Sequence, residues 1–202
     1  MKPVLQIGIT GGIGSGKSLI TRIFSCLGVP IYDADSRAKY LMTTDGILID
    51  QIKKEFGELS FNNDNELNRS YLSRLVFADQ EKLERLNSLV HPRVGEDYKK
   101  WVDQQKSLYV VKEAALMFEA GSNKMLDKVI VVSAPEELRI KRVLKRDTHR
   151  TREEIEKIIT NQLNEDEKLK LADFVIMNDE LHLVIPQVLA LHQQFCLASS
   201  LN

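Results

Sequence analysis

Apolar residues follow two alternating patterns along this 202-residue chain. Short runs that are apolar and rich in β-branched residues are typical of buried parallel strands, and they occur at 4–9, 29–32, 108–113, 129–132 and 172–176. Between them, apolar residues recur at helical spacing at 19–27, 36–41, 47–56, 136–144, 152–163 and 181–195. Strands that alternate with helices predict an α/β fold of three layers, α/β/α, around a parallel sheet.

One stretch departs from this alternation. Residues 58–68 are polar and rich in asparagine, which predicts a loop, and residues 69–106 are helical throughout. We expect Asp79 to cap one of these helices and Pro92 to break the pattern and open another. A helical stretch of this length between two strands is too long for a simple crossover, so it predicts a helical, substrate-binding insert.

The sequence between the first strand and the first helix carries the most specific signal. Gly11-x-x-x-x-Gly16-Lys17-Ser18 matches the phosphate-binding P-loop in full. In such a loop, backbone N–H groups surround an anion at the positive end of the following helix. Lys17 is predicted to reach the outer phosphates, and the Ser18 hydroxyl to bind Mg²⁺. The predicted contacts to ATP therefore include Gly11, Gly12, Ile13, Gly14, Ser15, Gly16, Lys17 and Ser18.

Composition narrows the class of protein. The 28 basic and 29 acidic residues give a net charge of −1, which provides no electrostatic footprint for nucleic acid or an anionic membrane. Cys26 and Cys196 are too few for a disulfide framework, and both are expected to be buried small apolar residues. No apolar run approaches a membrane span, and the first strand leaves no room for a signal peptide, so we expect a cytoplasmic protein.

The P-loop leaves several reaction classes open. A switch GTPase needs a guanine-reading Asn-Lys-x-Asp after a strand, whereas the nearest stretch, 123–127, has its aspartate one place late and precedes a strand. Motors and helicases usually need a longer chain. The favoured class is a compact P-loop NTPase-type kinase with an acceptor-binding insert and a short lid. Another small-molecule or nucleoside-monophosphate kinase, and a nucleotide-dependent switch or binding module, remain as alternatives.

Candidate catalytic residues follow from position. Asp33 ends the second predicted strand, at the edge of the sheet where ligands bind, so it is a candidate base for an acceptor hydroxyl. Asp35 has two equal interpretations, a functional group or a helix cap. A second set of candidates is the basic helical face of Arg139, Arg142 and Arg146, which can close over the triphosphate or be merely solvated. A third is the pair His91 and Arg93 in the insert, which can meet the acceptor or mark a helix boundary.

Taken together, these motifs resemble the dephospho-coenzyme A kinase family. Besides the P-loop, the resemblance rests on Asp33-Ala34-Asp35, His91-Pro92, Leu116-Met117-Phe118-Glu119-Ala120-Gly121, Lys145-Arg146-Asp147, Gln162 and 172–178. It implies phosphorylation of the ribose 3′-hydroxyl of dephospho-CoA with ATP and Mg²⁺. It also implies catalytic roles for Asp33, Lys17 and Arg142, nucleotide contacts from Arg139, Arg146 and Asn178, and acceptor contacts from Asp35, His91, Arg93 and Glu119. Ala115 and Asn68 depart from the family pattern, which has proline and an acidic residue there.

The predicted organisation is discontinuous. Core segments at 1–57, 107–138 and 161–202 enclose a CoA-side insert at 58–106 and a lid at 139–160. The expected partners are the small molecules ATP and dephospho-CoA, without nucleic acid or membrane, in a monomer or weak homo-oligomer.

Overall fold

Five parallel strands form the centre of the molecule. The structure is a computed structural model that describes residues 4–62, 64, 66–77 and 79–201. The strands are β1 (Leu5–Thr10), β2 (Ile31–Asp33), β3 (Tyr109–Glu113), β4 (Lys128–Ser133) and β5 (Phe174–Met177), in the order β2-β3-β1-β4-β5. Every pairing is parallel, which confirms the predicted α/β class.

The sheet is held by an apolar core on β1 and its two neighbours. Ile7 and Ile9 of β1 pack with residues of β3 and β4, and all are fully enclosed. Helices α1 (Lys17–Cys26) and α9 (Val184–Leu201) add Phe24 and Phe195 to the same core. Because the strands are parallel, their carboxyl ends lie along one edge, and this edge receives the chemistry-bearing residues described below.

The chain divides into two compact units. The first comprises Met1–Asp33 with Gln105–Asn202, and the second comprises Ala34–Gln104. The second unit is helical, with α2 (Ala34–Thr44), α3 (Gly46–Phe56), α4 (Arg69–Phe77) and α5 (Gln80–Asp103). It therefore begins earlier than residue 58, where the sequence predicted the insert to start, and it includes two helices that the sequence assigned to the core.

Helix α5 corrects a prediction. Pro92 does not break the pattern but lies inside one continuous helix of 24 residues, so His91 is within a helix rather than between two. A proline in a helix interior costs about 3 kcal/mol. Val90 and Val94 are buried on either side of it, and their packing within the second unit outweighs that cost. The predicted cap is confirmed, because the Asp79 carboxylate accepts the N–H groups of Glu81 and Lys82.

The rest of the first unit differs from the sequence pattern in smaller ways. Helices α6 (Glu136–Arg146) and α7 (Arg152–Thr160) are followed by α8 (Glu165–Leu171), which the pattern did not predict. The predicted loop 58–68 contains a 3-10 turn at Glu58–Ser60, and its residues 63 and 65 lie outside the described part. Cys26 is exposed and Cys196 half-buried, so the expectation that both are buried was wrong. No helix in the described ranges is long and apolar enough to cross a membrane.

An ion pair ties α3 to α5 within the second unit. Asp45 caps α3, and its carboxylate also accepts two hydrogen bonds from the Arg93 guanidinium, at 2.8 and 2.5 Å. Burial raises the pKa of Asp45, but the bonds from Arg93 and from the Leu48 N–H outweigh it, so this pKa lies below its ordinary value. The carboxylate is therefore stabilised in its charged form.

We expect Asp45→Asn to lower the free energy of unfolding by about 1–3 kcal/mol at pH 7, because asparagine keeps the cap but loses the charge-assisted pair. Because folding lowers the pKa of Asp45, the loss of unfolding free energy in the variant reaches its full size above the ordinary carboxyl pKa of 3.8. It becomes smaller as the pH falls below that value. Urea unfolding at several pH values measures it. Glu58→Gln, which removes the exposed partner of Lys53, is the control and is expected to change little.

Candidate active site

The P-loop connects β1 to α1 as a bent main chain without room for side chains. Gly14 has a φ of +77°, and a Cβ there would overlap the carbonyl oxygen of Arg139. A Cβ at Gly12 would overlap Nη1 of the same arginine. Glycine is required because α6 packs directly against the loop. The path of the loop main chain, on which the direction of its N–H groups depends, therefore requires these glycines.

The start of α1 supplies positive potential. No acidic residue lies in its first turn, and no side chain caps it, since Gly16 is the N-cap residue. Lys17 donates from Nζ to the carbonyl oxygens of Gly11 and Gly12, at 2.8 and 3.2 Å, and Ser18 is exposed. A helix N-terminus with a lysine and uncapped amides favours phosphate.

Two carboxylates stand at the ends of adjacent strands. Asp33 ends β2, is exposed, and lies in register with Glu113, the last residue of β3. Thr21 of α1 donates from its hydroxyl to the Glu113 carboxylate at 3.0 Å. Glu113 was missed by the sequence analysis, although a carboxylate at the end of a predicted strand was the same signal that identified Asp33.

The three arginines lie on one helix, α6, as the sequence predicted, but they differ in exposure. Arg139 is only 4% exposed and lies against the P-loop, with Glu136 and Glu165 at 3.6 and 4.0 Å. Arg142 donates to the Asn178 carbonyl oxygen at 2.9 Å.

Arg146 is the last residue of α6 and is more exposed than the other two arginines. Its side chain is 63% exposed and pairs with the adjacent Asp147. The three arginines of α6 therefore have different environments: Arg139 is buried, Arg142 is half-buried and Arg146 is exposed.

Asn178 joins the end of β5 to the P-loop. Its side-chain amide donates to the Ser15 carbonyl oxygen at 2.7 Å, and its own N–H donates to Ser133 of β4 at 2.8 Å. Asn178 therefore shapes the loop, and its contact with a nucleotide remains a prediction.

The side chains of Glu119 and Gln162 accept hydrogen bonds from backbone N–H groups of the first unit. Oε1 of Glu119 accepts the Leu163 N–H at 2.8 Å and lies 3.5 Å from Nζ of Lys168. Oε1 of Gln162 accepts the Ile13 N–H at 2.9 Å. Glu119, predicted to meet the acceptor, is thus engaged with the chain segment before and within α8.

The other acceptor candidates belong to the second unit. Asp35 lies in the first turn of α2, and His91 is exposed on α5. Arg93 directs its guanidinium to Asp45 and Glu96, so its planar fork is already used within that unit. Their predicted contacts with an acceptor are not tested by these positions.

The oxygen donors near the P-loop fit a magnesium ion. Mg²⁺ prefers hard oxygen ligands, takes few of them from the protein, and relies on phosphate oxygens and water for the rest. The Ser18 hydroxyl and the carboxylates of Asp33 and Glu113 are such donors. Within the described ranges no group of three histidine, cysteine or acidic residues is arranged to hold a metal alone, so an ion here would depend on the nucleotide.

Comparison with known proteins places the chain. The family model for dephospho-CoA kinase matches residues 5–182. A dephospho-CoA kinase of Bacteroides fragilis is 36% identical over 188 residues, which cover 93% of this chain and 91% of the relative. A crystal structure from Thermus thermophilus is 32% identical, with a TM-score of 0.85, and covers 96% of this chain and 98% of that one. The dephospho-CoA kinase of Campylobacter jejuni is 26% identical, with a TM-score of 0.69 and the same coverage. The chain therefore belongs to the dephospho-CoA kinase family.

Proposed function

We propose that this protein transfers the γ-phosphoryl group of ATP to the ribose 3′-hydroxyl of dephospho-CoA, giving CoA and ADP in the last step of CoA biosynthesis. The observation that carries the proposal is the family match over residues 5–182, which spans the P-loop and the whole second unit. The site geometry supports it, because a phosphate-binding loop and a carboxylate at a strand end lie on the same edge of the sheet.

ATP is held by main chain and by cations. The triphosphate lies along the P-loop main chain and the start of α1, where charge and dipole favour it. Lys17 exchanges the carbonyl oxygens of Gly11 and Gly12 for phosphate oxygens. Arg142 stands beside Asn178, and its guanidinium neutralises charge on the transferred group.

Magnesium completes the phosphate site. The Ser18 hydroxyl would hold it, with Glu113 and Asp33 as the nearby acidic groups, and when bound the ion neutralises charge on the phosphate oxygens. Thr21 keeps the Glu113 carboxylate in place.

Asp33 orients the acceptor. The 3′-hydroxyl oxygen forms a bond to the γ-phosphorus while the bond from this phosphorus to the β–γ bridging oxygen breaks, and ADP leaves with the electron pair. The hydroxyl proton passes to the Asp33 carboxylate. Because the transition state of phosphoryl transfer is loose, positioning of the hydroxyl contributes more than removal of its proton.

Other statements from the sequence stay predictions. They are the cytoplasmic location, the monomeric or weakly oligomeric state, the absence of a nucleic-acid partner, the lid role of 139–160 and the acceptor contacts of Asp35, His91 and Arg93. Glu119 is assigned here to the support of α8 rather than to the acceptor, since its carboxylate contacts Leu163 and Lys168.

We expect purified protein with ATP and Mg²⁺ to convert dephospho-CoA to CoA, detected by mass, with release of ADP in equal amount. Nucleoside monophosphates and shikimate serve as competing acceptors and are expected to give no product above background. Turnover of a nucleoside monophosphate, or ATP hydrolysis that no acceptor stimulates, would favour the alternative kinase or the nucleotide switch.

Asp33→Asn is expected to lower kcat about 10²- to 10⁴-fold while the Kd for ATP stays unchanged, because the amide cannot accept the proton or orient the hydroxyl in the same way. Asp50→Asn, on the exposed side of α3, removes the same charge away from the sheet and is the control. Steady-state kinetics and ATP titration measure the two quantities. Near-normal turnover of the Asp33 variant would remove this residue from the mechanism.

Gly14→Ala is expected to weaken ATP binding at least about tenfold, because the new methyl group overlaps the α6 backbone and must displace it from the loop. Gly28→Ala is the matched control, since Gly28 has a φ of +81° but nothing lies within 4 Å of the added carbon. It is expected to cost about 1–2 kcal/mol of stability from backbone strain alone and to leave the ATP affinity unchanged. Equal ATP affinity in both variants would contradict the role of the loop.

A further inference from the structure

We propose that Gln162 is a positioning residue for phosphoryl transfer, which fixes the tip of the P-loop through the Ile13 N–H. The proposal rests on the proposed function, since its effect is read through the use of ATP. Gln162 lies 149 positions from Ile13 along the chain and reaches it by one hydrogen bond of 2.9 Å.

The position of Ile13 makes this bond important. Ile13 stands between two glycines, Gly12 and Gly14, so the chain on either side of it has no Cβ to restrict the backbone. The Ile13 side chain packs against the buried cluster of Ile140, Val143 and Ile155, and the bond to Gln162 holds its main chain as well. This bond also orients the main chain on which the neighbouring amides depend.

Gln162 is itself held by a supported segment. It belongs to the link 161–164 between α7 and α8, and its neighbour Leu163 donates to Oε1 of Glu119 at 2.8 Å. Lys168 of α8 is 1% exposed and pairs with the same carboxylate oxygen at 3.5 Å. The Asn164 side chain caps α8. A buried lysine that keeps its carboxylate partner is a strong restraint, because separating the two leaves an uncompensated charge.

The Gln162 side chain is half-buried and borders a cavity. A cavity of about 520 Å³ lies beside it, bordered by Arg139, Leu163, Glu165 and Lys168. Two buried polar atoms on this cavity, Nε of Arg139 and Oε1 of Glu165, make no hydrogen bond. Because Gln162 borders this cavity on one side, the bond to Ile13 contributes to the position of its amide. The contact thus serves the P-loop rather than the filling of a core.

Two hydrogen bonds therefore connect the 116–121 segment to the P-loop through the link 161–164. One joins Leu163 to Glu119, and the other joins Ile13 to Gln162. A loop that is ordered before ATP arrives loses less conformational entropy on binding. The benefit falls on the ATP side of the reaction, because the restrained atoms belong to the P-loop. The acceptor side gains nothing directly from it.

The test replaces Gln162 by two residues of similar length. Gln162→Met removes the acceptor, and we expect the KM and the Kd for ATP to rise about 3- to 10-fold, as the loss of one hydrogen bond implies, with an unchanged KM for dephospho-CoA. Gln162→Glu keeps an oxygen for the Ile13 N–H, and we expect its ATP affinity to lie closer to that of the unmodified protein than that of Gln162→Met. Gln193→Met makes the same change at an exposed position of α9 and is the control.

The outcomes separate the two proposals. An unchanged ATP affinity in Gln162→Met overturns the positioning role, and so does a parallel rise in the KM of both substrates with a large drop in melting temperature, which indicates general damage. If the unmodified protein does not phosphorylate dephospho-CoA but Gln162→Met still weakens ATP in a binding titration, the proposed function fails and the positioning role stands.

Discussion

The lack of space around the P-loop main chain is the constraint on which the site depends. A Cβ at Gly11 would overlap a carbonyl oxygen of β4, one at Gly12 or Gly14 would overlap Arg139, and one at Gly16 would overlap Asn178. The loop is therefore enclosed from three directions by β4, α6 and the end of β5. Two of its N–H groups are also bonded within the protein, that of Ile13 to Gln162 and that of Ser15 to the Gly12 carbonyl oxygen.

This enclosure gives several charged residues a structural role that their residue type does not indicate. Arg139 is nearly inaccessible and lies against the loop, where a Cβ at Gly12 or Gly14 would overlap it. Arg142 and Asn178 form one hydrogen-bonded pair beside the loop. Two of the candidate site residues are exposed, namely Ser18 at the start of α1 and Asp33 at the end of β2.

The sequence predicted correctly those features that depend on neighbouring residues in the chain. The P-loop, the parallel strands and the Asp79 cap follow from spacing, glycine and short polar side chains, and the structure contains all three. The continuation of α5 through Pro92 was not predicted, because the burial of Val90 and Val94 is a tertiary effect. Helix α8 was missed although the Asn164 cap and the acidic first turn are local signals of a helix start. The burial of Arg139 is a tertiary effect too, since it depends on the approach of α6 to a loop more than a hundred residues earlier. Sequence spacing placed the arginines on one helix but carried no information about what that helix packs against.

The order of the strands along the chain explains why the candidate site residues and the residues that hold the P-loop come from distant segments. The P-loop, Asp33 and Glu113 stand on strands β1, β2 and β3, whereas the groups that enclose or restrain the loop come from residues 132–178. A parallel sheet brings both sets to one edge, because every strand must return to the same end before the next begins. The strands therefore fix where the reacting groups lie, and the later helices and links fix how rigidly the loop is held. Changes in the second set are expected to alter ATP binding without changing the groups that react, since they move the main chain and leave the carboxylates of β2 and β3 in place.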